Sequence, residues 1–203
     1  MKTHLWCLWS GTKINAKMQI SVHNKTLDLS TPQVMGILNV TPDSVYAGSR
    51  KQTEQEIAER TNQIILEGGK IIDVGAFSTG PGSADVSEEE ELLRMRNGLA
   101  IVRREQPDAL VSIDTFRPSV ARMAVEEFGA DIINDISEGR GYYNNTSNEN
   151  AKVDVDANEN EPSDILLEVA RLQVPYILMS LQADLENTVS VFLKKIKDLN
   201  SIG

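Results

Sequence analysis

The sequence predicts an α/β fold: a TIM-type (β/α)8 barrel that is incomplete here, with about five βα units after an N-terminal β-hairpin. From residue 35, short apolar runs alternate with segments of helical periodicity. The apolar runs are almost continuous, which is typical of parallel strands covered by helices. Polar residues stand at the carboxyl ends of these strands, where barrel enzymes carry their chemistry. A doubly wound open sheet is the alternative architecture.

The first predicted element is a β-hairpin over residues 18–30. The segment MQISVHNKTLDLS alternates apolar and polar residues on both sides of Asn24-Lys25, the pattern of two short strands joined by a turn. We expect this hairpin to close the floor of the barrel, ahead of the first parallel strand.

Five pairs of a strand and a helix follow the hairpin. Ser87 is the expected N-cap of the second helix, and Glu88 to Glu91 fill its first turn, where the helix dipole favours acidic side chains. Gly129 is the expected end of the third helix. The predicted strands are 34–40, 71–76, 110–116, 131–137 and 175–181. The predicted helices are 54–69, the segment that begins at Ser87, 117–128, 163–173 and 187–200.

The predicted organisation is one domain over residues 18–203, preceded by an N-terminal extension over residues 1–17. The extension lacks the continuous apolar stretch of a signal peptide. Residues 140–162 are rich in Asn, Asp and Glu and have no apolar periodicity. We therefore expect a flexible insertion there.

The barrel itself is expected to be truncated at its C-terminal end. A full barrel takes about 250 residues, whereas this chain of 203 residues leaves room for five units before Gly203. Strands 34–40 and 175–181 would then have unpaired edges. Such edges recruit other chains, so self-association is predicted.

Composition excludes several classes of partner. The formal charge of −10 and the pI of about 4.7 argue against nucleic acid and against an anionic membrane surface. No apolar run reaches the roughly 20 residues of a membrane span. The single cysteine, Cys7, cannot form an internal disulfide, which favours a reducing, cytoplasmic location.

Two loop motifs follow predicted strands. MGILNVTPDS (35–44) ends a buried strand at Asn39 and continues into a Thr-Pro-Asp-Ser turn. IIDVGAFSTGPG (71–82) ends a strand in a loop rich in Gly and Pro. Each of them, taken singly, is also compatible with an ordinary strand-to-loop connection.

Three further strand ends carry candidate ligand contacts. In LVSIDTF, Asp114 lies among apolar residues, so it is either paired within the protein or faces a ligand rich in donors. In DIINDIS, Asn134 offers both a donor and an acceptor, while the adjacent Asp135 also fits a structural role. In VPYILMSLQ, Met179 suits core packing and contact with a flat ligand equally well.

Together and in this order, these motifs resemble the dihydropteroate synthases, a family of pterin-binding enzymes. The resemblance covers residues 18–203 apart from the insertion at 140–162. It implies a pterin-binding domain and a transferase of folate biosynthesis. That enzyme joins 6-hydroxymethyl-7,8-dihydropterin diphosphate to p-aminobenzoate and releases diphosphate. The resemblance implies no covalent nucleophile, so no catalytic residue is assigned.

The resemblance also implies a role for each candidate site residue. Asn39 would help to hold the Mg²⁺ cofactor and the diphosphate, and Thr79 would bond the same diphosphate. Asp114 and Asn134 would bind the pterin ring, and Met179 would pack on it. The mobile loop that covers the site in this family would be formed by Thr41, Pro42, Asp43 and Ser44.

Among the departures of the chain from the family pattern, two single positions bear on the site. Gly80 stands where the family has Arg, and Ser180 stands where it often has His. Glycine cannot replace the bidentate contacts of a guanidinium to phosphate or carboxylate. The alternative to an active synthase is therefore a non-catalytic truncated paralogue or fragment with residual pterin binding. A related pterin-binding methyltransferase is a third candidate, which cobalamin binding would distinguish.

Overall fold

The computed structural model contains a six-stranded sheet, a separate two-stranded hairpin and helices that connect the parallel strands. The residues it describes are 6–9, 19–22, 25–40, 54–77, 86–137, 139, 163–179, 189–190, 193–194, 196–197 and 200. The strands are β1 Trp6–Trp9, β2 Gln19–Val22, β3 Lys25–Asp28, β4 Met35–Asn39, β5 Ile71–Gly75, β6 Leu110–Asp114, β7 Ile132–Asp135 and β8 Tyr176–Met179. The helices are α1 Glu54–Leu66, α2 Glu88–Glu105, α3 Pro118–Phe128 and α4 Asp164–Leu172.

Strand order distinguishes the two predicted architectures. Strands β4, β5, β6, β7 and β8 are neighbours in chain order, and every pair is parallel with one helix between its strands. A doubly wound sheet reverses its strand order partway, and these five strands do not. The prediction of a partial (β/α) barrel is confirmed.

The helices begin and end where the sequence predicts. The side chain of Ser87 accepts a hydrogen bond from the backbone N–H of Glu90, which confirms the N-cap of α2. Pro118 opens α3, where its missing N–H costs no helical bond. Gly129 ends α3 with a φ of 62°, a left-handed conformation that glycine adopts without strain.

Two apolar layers lie on opposite sides of the sheet. The larger one packs the helices against alternate strand residues, such as Leu38, Val74 and Ile113. The smaller one contains Ile20 and Leu27 of the hairpin. These two side chains pack against residues of the sheet that face the barrel interior, which are Ile71 of β5, Ile132 of β7 and Ile177 of β8. The predicted hairpin therefore closes the amino-terminal end of the barrel interior.

One prediction about the sheet edges is wrong. Residues 175–181 were expected to present an unpaired edge, but β1 pairs with β8 in antiparallel register, from Trp6 opposite Met179 to Trp9 opposite Tyr176. Local pattern could not show this pairing, because it joins segments about 170 residues apart. The other edge is formed by β4, as predicted.

Several predicted features lie outside the described residues. These are the insertion at 140–162, the loop at 41–44 and Thr79. Toward the C-terminus, the described residues between 189 and 200 are helical, in agreement with the fifth predicted helix. Among the helices that the structure describes, none is both long and apolar enough to span a membrane.

Candidate functional site

Four polar or small residues form one row across the carboxyl ends of the parallel strands. Asn39 of β4 is in register with Gly75 of β5, Gly75 with Asp114 of β6, and Asp114 with Asn134 of β7. Residues in register on adjacent strands point to the same face of a sheet. The three polar residues predicted from the sequence therefore share one face, and we call the four residues the strand-end row.

Gly75 lets two of these side chains come together. A Cβ atom added at Gly75 would lie 3.2 Å from Asn39 Oδ1 and 3.4 Å from Asp114 Oδ2. Both oxygens therefore occupy space next to Gly75 that a side chain would need. A larger residue at this position would push one of them aside.

A second carboxylate lies directly below the row. Asp73 precedes Gly75 by two residues, so it points to the same face one step toward the floor of the barrel. Its Oδ2 accepts a hydrogen bond of 3.0 Å from Asn134 Nδ2. Within the described part of the chain, Asn134 Oδ1 is buried without a hydrogen-bond partner, while the Ser112 hydroxyl lies close enough to Asp73 to lower the pKa of that carboxyl. Buried polar atoms without partners are rare, and at a strand end they point to a ligand.

Among the described residues, the charge on this face is almost entirely negative, and the pKa values reflect it. Burial, together with the charges of Asp73, Asp135 and Glu91, raises the pKa of Asp114 to about 7. Burial also raises the pKa of Asp73. Carboxyl groups that have no cation beside them among the described residues make this end of the sheet the candidate ligand site.

Asp135, in contrast, has a structural role, as the sequence suggested. Its carboxylate is fully buried and accepts hydrogen bonds from the Tyr176 hydroxyl and from the backbone N–H groups of Ser137 and Gly139. These bonds fix the turn after β7 against β8. Because Asn134 immediately precedes Asp135, the same bonds help to hold Asn134 in the strand-end row.

A buried ion pair supports the site from the helical side. Arg117 Nη1 donates to Glu91 Oε2 at 2.6 Å, and Arg117 Nη2 donates to the carbonyl of Val86 at 2.7 Å. The guanidinium lies 5.5 Å from the ring centres of both Phe77 and Phe116. Arg117 thus contacts both sides of the connection between β5 and α2.

The structure places the predicted site residues as follows. Asn39, Asp114 and Asn134 lie together in the strand-end row, and Met179 is the last residue of β8, partly buried at the same end of the sheet. Thr79 and the loop residues Thr41, Pro42, Asp43 and Ser44 lie outside the described residues. The roles in ligand binding of all these residues stay predictions.

Sequence reasoning missed Asp73 and the pair of Glu91 and Arg117. The available signal for Asp73 was an acid in the middle of the apolar run IIDVG, which a buried strand does not carry without a reason. Glu91 had no comparable signal, since four consecutive Glu residues at a helix start already fit the helix dipole.

Fold and site together define the class of protein: a (β/α) barrel with an acid- and amide-lined site at the carboxyl ends of its strands. Residues 35–197 match the family described as pterin binding enzyme, which is most of the chain. The protein belongs to this family. The resemblance predicted from the motifs is therefore confirmed.

Several relatives of the chain are named dihydropteroate synthase. The chain is 43% identical over 119 residues to the dihydropteroate synthase of Escherichia coli K12, which covers 59% of this chain and 42% of that protein. The crystal structure of the Vibrio fischeri enzyme matches with a TM-score of 0.70 and 30% identity, over 92% of this chain and 62% of that one.

The enzyme of Xanthomonas albilineans, whose structure holds 7,8-dihydropteroate, matches with a TM-score of 0.67 and 26% identity over 91% of this chain. That match covers 61% of the Xanthomonas chain. The chain thus spans less than two thirds of the length of the relatives it matches.

Proposed function

We propose that this chain carries the pterin-binding part of a dihydropteroate synthase. The observation on which this depends is the strand-end row, in which Asp114 and Asn134 stand side by side and the amide oxygen of Asn134 is buried without a partner among the described residues. An amino-pyrimidine edge, rich in N–H donors, supplies the partners that such acceptors require. The pterin would lie above the row, with Met179 packed on the ring.

The proposed reaction joins 6-hydroxymethyl-7,8-dihydropterin diphosphate to p-aminobenzoate. The diphosphate leaves, and the arylamine forms the new bond to the exocyclic carbon of the pterin. Two features of the proposal depend on the resemblance of the motifs: a contact from Thr79 to the diphosphate and a cover formed by residues 41–44. A cytoplasmic location is also proposed, and it depends on the single cysteine.

Asn39 is the residue that would hold Mg²⁺ in this proposal. Its exposed side chain ends in an amide oxygen that lies beside Gly75, as Asp114 Oδ2 does. Mg²⁺ keeps several waters and takes few protein ligands together with substrate phosphates, which suits one amide oxygen at the rim of a site. Among the described residues, no group of three or more His, Cys, Asp or Glu forms a complete metal cage. Bound Mg²⁺ would supply positive charge to the leaving diphosphate.

The competing proposal is a paralogue that binds pterin without turning it over. Gly80 favours it, because the family has Arg at this position and glycine provides no contact to an anion. In that case the row would bind the ring, and the second substrate would not be held for attack.

Calorimetric titration with 6-hydroxymethylpterin tests the binding step. We expect Asp114→Asn to weaken binding at least tenfold, because the carboxylate is the strongest acceptor in the row. The matched control is Asp108→Asn. Asp108 is exposed and lies two residues before β6, at the end of the strand opposite to Asp114. Equal affinity of the wild type and Asp114→Asn would contradict the proposed site.

Diphosphate release in the presence of both substrates and Mg²⁺ separates the two candidates. A rate that requires both substrates supports the synthase. Pterin binding without a rate supports the paralogue.

A further inference from the structure

The hydrogen bond between Asp73 and Asn134 determines which way the Asn134 amide faces. A side-chain amide has two orientations, with the nitrogen and oxygen exchanged. The carboxylate of Asp73 accepts hydrogen bonds, so it favours the orientation with Nδ2 toward Asp73. Asn134 Oδ1 is then left facing away from Asp73, buried and without a partner among the described residues.

We propose that Asp73 is a positioning residue: it accepts one N–H of the Asn134 amide and so holds the amide with its carbonyl oxygen presented to the ligand. This inference rests on the proposed function, because it specifies how the strand-end row recognises a pterin. Asp73 acts through Asn134, and the group that touches the ligand is the oxygen of the amide.

The packing of the sheet supports this arrangement. Asp73 and Asn134 belong to β5 and β7, with β6 between them, and both are 4% exposed. The residue of β6 in register with Asp73 is Ser112, whose small side chain leaves room for the bond across the strand. The Asn134 amide can rotate only if its hydrogen bond to Asp73 breaks. In a site this enclosed, little water is present to replace that bond.

The consequence for recognition is a row with two acceptors next to each other. Asp114 contributes carboxylate oxygens and Asn134, in register beside it, contributes its amide oxygen. Such a row selects a ligand edge with N–H donors in adjacent positions. A ligand edge that alternates a donor and an acceptor would require Asn134 in the other orientation.

Exchanging the two residues tests the direction of the amide. In the Asn134→Asp variant two carboxylates meet, and we expect the affinity for 6-hydroxymethylpterin to fall at least tenfold. In the double variant Asp73→Asn with Asn134→Asp, residue 73 donates and residue 134 still offers an oxygen to the ligand. We expect this exchange to restore the affinity to within about threefold of the wild type, since the acceptor that meets the ligand is retained.

Two further variants keep the test decisive. Asp73→Ala frees the amide to rotate, and we expect an affinity loss of about fivefold, consistent with one modest hydrogen bond. Asp131→Asn changes a buried carboxylate at the opposite end of the sheet, and it should lower the unfolding midpoint without changing the affinity.

The outcomes distinguish this inference from the proposed function. If the wild type binds and the exchanged pair folds but does not regain affinity, the ligand needs the amide N–H and the inference is overturned. Unchanged affinity in Asp73→Ala overturns it as well, whether or not the exchanged pair folds. A wild-type chain that binds no pterin overturns the proposed function, and the inference with it.

Discussion

The two ends of the sheet hold buried aspartates in opposite ways. At the amino-terminal end, Asp131 accepts a hydrogen bond from the backbone N–H of Val111 and forms ion pairs with Arg103 and Lys25. At the carboxyl end, the described neighbours of Asp114 are carboxylates rather than cations, and burial raises the pKa of both Asp73 and Asp114. Aspartate is therefore a structural residue at one end of the sheet and a proposed ligand contact at the other, and the difference lies in the partners that the fold provides.

Arg103 provides hydrogen bonds to several polar groups at the amino-terminal end of the sheet. Its guanidinium donates to the carbonyls of Ala109, Phe128 and Gly129 in addition to Asp131. These bonds tie the end of α3 to the beginnings of β6 and β7. Below them, the hairpin covers the barrel floor with apolar side chains.

The largest effect on stability is expected from Asp131→Ala. The substitution leaves Arg103 and Lys25 without their shared carboxylate and the Val111 N–H without an acceptor. We expect a loss of about 4 kcal/mol in the free energy of unfolding, measured by urea denaturation. The exposed Asp108→Asn should change it by less than about 0.5 kcal/mol. A loss below about 1 kcal/mol at Asp131 would remove the contrast between the two ends.

Arg117→Ala tests the buried ion pair of Arg117 with Glu91 near the carboxyl end. It removes the cation that faces Glu91, the donor to Val86 and the contact with two aromatic rings. We expect a loss of about 3 kcal/mol in urea denaturation. Arg96→Ala is the control, because the pair of Arg96 with Glu127 is exposed. Equal effects of the two substitutions would contradict a special role for the buried pair.

Asp114→Asn should stabilise the protein, in the opposite direction to Asp131→Ala. The folded chain holds the proton on Asp114 up to about pH 7, whereas the unfolded chain releases it near the ordinary value of 3.8. Because the folded state binds more protons between these values, wild-type stability falls as pH rises from about 4 to about 7 and then levels off. We expect the variant to gain about 2 kcal/mol above pH 7 and almost nothing at pH 4.

Urea denaturation at pH 4, 6 and 8 measures this difference. Asp108→Asn is again the matched control and should give a difference that does not depend on pH. A difference of the opposite sign, with Asp114→Asn less stable at pH 8, would mean that Asp114 is paired in the same way as Asp131.

The smallest effect is expected from deletion of residues 140–162. The two residues that flank this segment are already in contact, since the Ser163 hydroxyl donates to the carbonyl of Gly139. A short Gly-Ser link between them changes the closure entropy little, so we expect the free energy of unfolding to change by less than about 0.5 kcal/mol. A clearly lower urea midpoint would show that the segment packs against the barrel.

The elements could be predicted from the sequence because their signals are local. Strands β4 to β8 are short apolar runs, and α2 and α3 begin and end at Ser87, Pro118 and Gly129. Asn39, Asp114 and Asn134 could be assigned to one end of the sheet because parallel strands bring their carboxyl ends to the same edge. No more than the strand periodicity was needed to place these three residues together.

The sequence by itself determined the fold class, the strand ends and the three polar residues of the row, since hydrophobic period and capping act within a few residues. Only the tertiary structure decided the partners. The bond between Asp73 and Asn134 joins residues 61 apart, that between Glu91 and Arg117 residues 26 apart, and β1 reaches β8 across most of the chain. Such partners depend on register and on which strand lies two places away in the sheet. The periodicity of a single segment contains neither, so the direction of the Asn134 amide became visible only in the assembled sheet.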